Sequence, residues 1–267
     1  MKKEELNDIN YINNIKKVFS KSPKLNIEIL NSMLLKKGEI IQLDPLGMIK
    51  NSLRNERDGY TFFGYFPPNY INKIDFMLKP KEPSFEERFI GKHFQIKFNP
   101  YSLKYHIMDL GCGFGTFKKL ISQTIIKDNF FINIGNSYIV FTFNDDDKKE
   151  NLKNDDIDII FIKIFTPNIN YEKISFNPLN KSKLYIGRDL NNDISINDEI
   201  LSRIHCTVFY KKKIGWLIKD GNIKENNMVT PSTNGTWLMI NEDTEINNNM
   251  IFKSNQNLFK CIYIYDN

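Results

Sequence analysis

Leu184–Ile240 reads LYIGRDLNNDISINDEILSRIHCTVFYKKKIGWLIKDGNIKENNMVTPSTNGTWLMI. Four short runs in it, Leu184–Gly187, His205–Tyr210, Trp216–Asp220 and Thr236–Ile240, are rich in β-branched and aromatic residues and bounded by Gly, Asn, Asp and Ser, which is the texture of strands joined by turns. Three polar motifs stand just outside these runs: Gly187-Arg188, then Ser202-Arg203-Ile204-His205, then Ser232-Thr233-Asn234-Gly235-Thr236. None is informative alone, since Asn-Gly is first of all a turn signal. Their order and spacing between apolar strands make the signal.

The same texture extends outward in both directions. Candidate strands are Glu39–Leu43, Tyr60–Tyr65, Ile74–Leu78, His93–Phe98, Tyr105–Leu110 and Tyr138–Phe143, then Ile159–Phe165, Met250–Lys253 and Phe259–Tyr265. Before Glu39 the apolar residues Ile9, Ile12, Ile15, Val18 and Phe19, followed by Leu25, Ile27, Leu30 and Leu34, have spacings that suit one or two short helices. Residues 144–157 are dense in charge and poor in apolar side chains, the composition of a solvated linker.

The chain also repeats itself. Gly115-Thr116-Phe117 aligns with Gly235-Thr236-Trp237 at an offset of 120 residues, and the same register pairs Thr124 with Thr244, Ile126 with Ile246 and Phe131 with Ile251. Upstream, His93-Phe94-Gln95-Ile96 aligns with His205-Cys206-Thr207-Val208 at an offset of 112, the difference being absorbed by the longer loop after Asp220. A repeat of this length predicts two homologous β domains. The expected organisation is a helical segment over 1–38, a first sandwich over 39–143, a linker over 144–157 and a second sandwich over 158–267.

From about Asp158 to Tyr265 the sequence resembles a forkhead-associated (FHA) domain, whose Gly-Arg, Ser-x-x-His and Ser-x-Asn-Gly-Thr motifs occur here in order. The resemblance implies an all-β sandwich that displays these loops at one end and binds a phosphothreonine-bearing segment of a partner protein. It further implies that Arg188, Ser202 and Asn234 contact the ligand, with Arg203 and Thr233 beside them, while Gly187, His205 and Gly235 serve as scaffold. The residue types fit that chemistry. A phosphothreonine carries about −1.5 to −2 charges and three strong acceptor oxygens. A guanidinium meets two such oxygens at once, the Ser202 and Thr233 hydroxyls add donors, and an asparagine amide can read a peptide backbone.

The first half keeps the scaffold positions and loses the donors. Gly64-Tyr65 stands for Gly-Arg, Ile90-Gly91-Lys92-His93 for Ser-x-x-His, and Cys112-Gly113-Phe114-Gly115-Thr116 for Ser-x-Asn-Gly-Thr. Each charge-assisted hydrogen bond is worth about 1.5–3 kcal/mol, so the loss of two weakens phosphopeptide binding roughly a hundredfold. The expectation for residues 39–143 is therefore a degenerate FHA-like domain that acts as a structural or docking module, with His93 and Gly115 as its surviving scaffold. Two tandem FHA-like sandwiches with a short helical N-terminus follow as the fold class.

Ile107-Met108-Asp109-Leu110-Gly111-Cys112-Gly113-Phe114-Gly115 also resembles the glycine-rich loop of S-adenosylmethionine-dependent methyltransferases, a reading that requires a helix opening at Phe117–Ile121. No further strand and helix units follow it, and the repeat accounts for the same glycines. A structural subunit without phosphate-dependent binding is the other alternative. No phosphate-binding Gly-x-x-x-x-Gly-Lys-Ser/Thr loop, Gly-x-Ser-x-Gly elbow or His-Glu-x-x-His pair occurs, so no catalytic residue, metal ligand or cofactor is expected. Asp145–Asp147 and Asp155-Asp156 read as solvated charge, and Lys211-Lys212-Lys213 as a basic turn that could serve acidic flanks of a ligand.

Composition agrees with a globular binding protein: 41% of the 267 residues are hydrophobic and 26% charged. The balance of 37 basic against 32 acidic residues, a net +5, predicts no direct nucleic-acid partner. Three scattered cysteines, Cys112, Cys206 and Cys261, suit a reducing compartment. Without a signal segment or an apolar run of roughly 18 residues, no membrane partner is expected, and the chain is placed in the nucleus or cytoplasm.

Overall fold

The computed structural model describes residues 3–80, 86–143, 158–167 and 172–265. Almost all regular structure is β, and the strands gather into two compact units. Unit 1 comprises 1–118 together with 240–267, and unit 2 is the continuous stretch 119–239.

In unit 1 one sheet runs in the order Thr116–Lys119, Ile251–Ser254, Asn257–Ile264, Lys24–Asn31, Ile40–Asp44, Gly47–Met48. A second runs Thr244–Glu245, Lys104–Asp109, Gly91–Asn99, Tyr60–Tyr65, Phe76–Met77. Alternate residues of each turn inward, because successive side chains of a strand point to opposite faces. Leu25, Ile27, Ile29, Phe252 and Phe259 of the first sheet share a core with Phe63, Phe94, Ile96, Phe98 and Ile107 of the second. The Phe94 ring lies 5.4 Å from Phe252 and 6.2 Å from Phe259, so aromatic contacts join the layers. Each such side chain, fully buried, contributes about 1.5–3 kcal/mol.

Unit 2 repeats the plan. One sheet runs Glu172–Phe176, Ile160–Phe165, Ser137–Thr142, Phe130–Ile134, Trp237–Met239. The other runs Ile194–Ser195, Lys183–Gly187, Cys206–Lys211, Gly215–Asp220, Thr124–Ile125. Ile132, Ile139, Phe141 and Ile162 pack in one core with Leu184, Ile186, Val208, Trp216 and Ile218. Burial pushes the thiols of Cys206 and Cys261 up, which leaves them as small apolar side chains.

Three expectations differ from what is observed. Lys3–Val18 is a helix, but Lys24–Asn31 is a strand: Leu25, Ile27 and Ile29 are buried at a period of two, which outweighs the looser spacing to Leu30 and Leu34. The compact units do not follow the contiguous boundaries 39–143 and 158–267. Phe130–Ile134 with Ser137–Thr142 and Ile251–Ser254 with Asn257–Ile264 are two similar hairpins, and their alternation alone does not fix which unit each joins. The first joins unit 2 through Trp237–Met239 and Ile160–Phe165, while Asn257–Ile264 joins unit 1 through Lys24–Asn31. Finally, Thr116–Lys119 is a strand where the methyltransferase reading needs a helix, because Phe117 is buried in a ladder with Lys253.

The charged segment 144–157, with Asp145–Asp147 and Asp155-Asp156, lies outside the described residues. Among the described residues, no helix is long and apolar enough to cross a membrane, and no group of three or more His, Cys, Asp or Glu side chains could hold a metal ion.

Candidate functional site

The loop-borne polar residues of unit 2 are laced together mainly by backbone. Gly187 ends its strand against the Ser202–His205 loop: Arg188 N–H donates to the Ser202 carbonyl at 3.1 Å, Asp189 N–H to that of Arg203 at 3.2 Å, and His205 N–H to that of Ile186 at 2.7 Å. The approach is so close that a Cβ on Gly187 would overlap the Arg203 carbonyl oxygen and lie 2.7 Å from that of Ser202 and 2.8 Å from His205 N.

His205 is fully buried and joins two loops. Its Nδ1 accepts from Ser202 N–H at 3.3 Å, so the proton sits on Nε2, which donates to the Gly235 carbonyl at 3.0 Å. Ser202 Oγ in turn accepts from Thr233 N–H at 3.0 Å and lies 3.4 Å from Thr233 Oγ1. Asn234 spends one amide N–H on the Ile200 carbonyl at 2.7 Å, which leaves its second N–H and its oxygen for a ligand backbone. Gly235 adopts φ +79°, the left-handed turn that the Asn-Gly pair forecast.

The structure therefore brings Ser202, Thr233 and Asn234 to one rim and roots Arg188 and Arg203 directly beside it. Both arginines, Thr233 and Asn234 are exposed, and Ser202 is half-buried. Among the described residues neither guanidinium has a carboxylate within ion-pair distance. Two exposed, permanently charged side chains thus rise from the same loops that carry two hydroxyls and an amide, a set of donors suited to a multiply charged oxyanion.

Sequence reasoning missed three supporting groups. Asp220 accepts from Ser232 Oγ at 2.7 Å and from Thr236 Oγ1 at 2.8 Å, and so pins both ends of the Ser-Thr-Asn-Gly-Thr turn. Ser232 Oγ accepts from Gly235 N–H at 2.9 Å within the turn itself. Lys119 runs across Gly235, with Cε 2.8 Å from where a Cβ would stand, and adds a third cation beside the turn. An Asp at a strand end before a loop has no distinctive signal. Lys119 has none at all, because it reaches the turn from the other half of the sequence.

Unit 1 fills the corresponding places with apolar groups. His93 is buried there too, yet its Nε2 donates to the Phe89 carbonyl at 2.6 Å and its Nδ1 accepts from Asn255 Nδ2 at 2.8 Å. Asn255 Oδ1 accepts from Phe114 N–H at 2.8 Å, and the Phe114 ring meets that of Phe89 edge-on at 5.3 Å. Tyr65, Ile90, Cys112 and Phe114 stand where unit 2 has Arg188, Ser202, Ser232 and Asn234, and none of the four carries a guanidinium, an aliphatic hydroxyl or an amide side chain. Burial holds the His93 imidazole below its usual value near 6.5, against the opposing effects of the Phe89 carbonyl and Asp109. The stability this group contributes is whole above the unfolded value and is lost as pH falls below it. Urea midpoints are expected to drop on acidification from pH 7 to pH 5, and to drop less in His93→Gln; equal slopes would remove His93 as the cause.

A profile of the FHA domain family matches residues 184–256. The match marks one FHA domain and supports, at that level, a protein-interaction role that depends on phosphopeptide binding. It runs through the three motifs to Met239 in unit 2 and continues over 240–256, which belong to unit 1. A search of curated proteins finds no match to the chain.

Proposed function

We propose that the chain is an adaptor that captures phosphothreonine in a partner protein through the rim of unit 2. Arg188 meets two phosphate oxygens with its fork, Arg203 adds a second cation, and the Ser202 and Thr233 hydroxyls turn toward the remaining oxygen. Asn234 holds the peptide backbone with the amide groups that Ile200 leaves open. Gly187, His205 and Gly235 keep the three loops in register. The observation that carries this reading is the direct lacing of the motifs, Arg188 N–H to the Ser202 carbonyl and Thr233 N–H to Ser202 Oγ, on loops whose two guanidiniums have no carboxylate partner among the described residues.

Unit 1 is read as the degenerate FHA-like counterpart that serves as a structural or docking module. Its Phe114–Phe89 contact and its Asn255–His93 bond occupy the places where a phosphate would need donors.

Titrating the full chain with a phosphothreonine peptide selected from a library tests the assignment of Ser202. Ser202→Ala removes one hydroxyl that contacts the anion, so affinity should fall about tenfold, the equivalent of about 1.4 kcal/mol. The melting temperature should fall only slightly, since the variant loses the bond from Thr233 N–H, worth about 1 kcal/mol, while the Ser202 backbone keeps its bonds to Arg188 and His205. Unchanged affinity would take Ser202 out of the site.

A further inference from the structure

The insertion Gly221–Pro231 is not an open loop. Asn222–Ile223 pairs with Val229–Thr230, and this hairpin is tied to the outward face of the adjoining sheet. Thr207 Oγ1 donates to the Gly221 carbonyl at 2.8 Å and accepts from Ile223 N–H at 3.3 Å, and Lys183 Nζ donates to the Ile223 carbonyl at 2.6 Å. On the same sheet Leu184, Val208 and Ile218 point into the core, so their neighbours Lys183, Phe209, Lys211 and Lys219 face out. The hairpin thus raises a wall beside a basic, partly apolar floor.

Between wall and floor lies a groove of about 710 Å³, lined by Lys183, Phe209, Lys211, Lys219, Ile223 and Val229 among others. That volume falls in the range of ligand sites, roughly 300–1,000 Å³. Lys219 Nζ donates to the Ile121 carbonyl at 2.7 Å, and the Lys211 ammonium stands 5.4 Å from the centre of the Phe209 ring. Among the described residues, no carboxylate lies within ion-pair distance of any of the three lysines. Among the described residues these three positive charges meet carbonyl oxygens and two ring faces, Tyr185 under Lys183 and Phe209 under Lys211, and together they focus a field that draws anions. Lys211 ends the strand that begins at Cys206 beside the phosphate rim, and a strand of that length spans about 17 Å.

We propose that this groove is a second docking site, which takes an unphosphorylated acidic segment of a partner protein. Asp or Glu side chains of the segment meet Lys183, Lys211 and Lys219, and an apolar side chain between them packs on Phe209 and Val229. The floor offers one aromatic ring flanked by aliphatic side chains, which suits a peptide better than the successive stacking rings that a single-stranded nucleic acid uses. This site does not depend on the phosphothreonine reading, since no phosphate enters it.

The test is fluorescence anisotropy of the full chain with a dye-labelled peptide of Asp, Glu and Phe that carries no phosphate. Saturable, salt-sensitive binding is expected, weakened at least tenfold by the Lys211→Glu, Lys219→Glu double substitution and unchanged by Arg188→Ala. Lys211→Glu alone, whose native ammonium makes no hydrogen bond among the described residues, should weaken binding severalfold and keeps the test decisive if the double variant misfolds. No saturable binding, indifference to the lysine changes, loss in Arg188→Ala, or tighter binding of a single-stranded oligonucleotide to the same lysines would overturn the proposal. Failure of the phosphothreonine account, by contrast, would leave this peptide bound.

Discussion

Arg188→Ala is expected to weaken phosphothreonine-peptide binding by at least about a hundredfold, the largest loss from removing any one of the proposed ligand contacts. Its guanidinium can form two parallel charge-assisted hydrogen bonds to one phosphate, each worth about 1.5–3 kcal/mol, and a tenfold change in affinity corresponds to about 1.4 kcal/mol. The side chain is exposed and makes no ion pair among the described residues, so its removal costs the fold little. Arg188→Lys should recover only part of the loss, because an ammonium offers charge without the planar fork. Calorimetry with wild type and both variants checks the order; equal affinities across the three would detach the guanidinium from the ligand.

Gly187→Ala is expected to cost about 3 kcal/mol of stability and to abolish measurable binding. The new Cβ would overlap backbone atoms of Ser202, Arg203 and His205, and backbone yields less readily than the end of a side chain. To make room, the Lys183–Gly187 strand must part from the following loop. That movement breaks the Arg188–Ser202 and His205–Ile186 bonds which hold two of the motifs together. Both tryptophans of the chain, Trp216 and Trp237, lie in unit 2, so intrinsic fluorescence reports its unfolding selectively. A drop of several degrees in that transition, with binding lost, is the expected pair of results. A stable variant that still binds would mean that the close approach of the loops is not what positions Arg188.

These two positions show what the sequence made readable. Gly187 and Arg188 could be paired with Ser202 and Asn234 because each motif sits at a strand end, where turn residues interrupt an apolar run. The strands themselves were legible for the same reason, as with Tyr60–Tyr65, which matches its expected bounds. Lys24–Asn31 was not, since Leu30 and Leu34 offered a second period that competed with the alternation of Leu25, Ile27 and Ile29.

The turns at Gly115-Thr116 and Gly235-Thr236 were legible, both glycines having positive φ. The unit that each strand completes was not, because a repeated strand satisfies either partner's alternation equally well. Only the packed core, with Ile132 and Phe141 against Leu184 and Trp216, distinguishes the two assignments. At the proposed site, the candidate donors are read from their side-chain types. The groups that hold them, such as Asp220, the Ile200 carbonyl and Lys119, act through backbone or across distant sequence, and the hairpin that walls the basic groove reads only as a polar loop.

The proposed rim of unit 2 recognises a phosphate on threonine. Isothermal titration of the full chain with a degenerate phosphothreonine peptide library, before and after phosphatase treatment, tests it most directly. Saturable binding of the phosphorylated pool, lost on dephosphorylation, is the expected result. Equal heats from the two pools, or none from either, would contradict it.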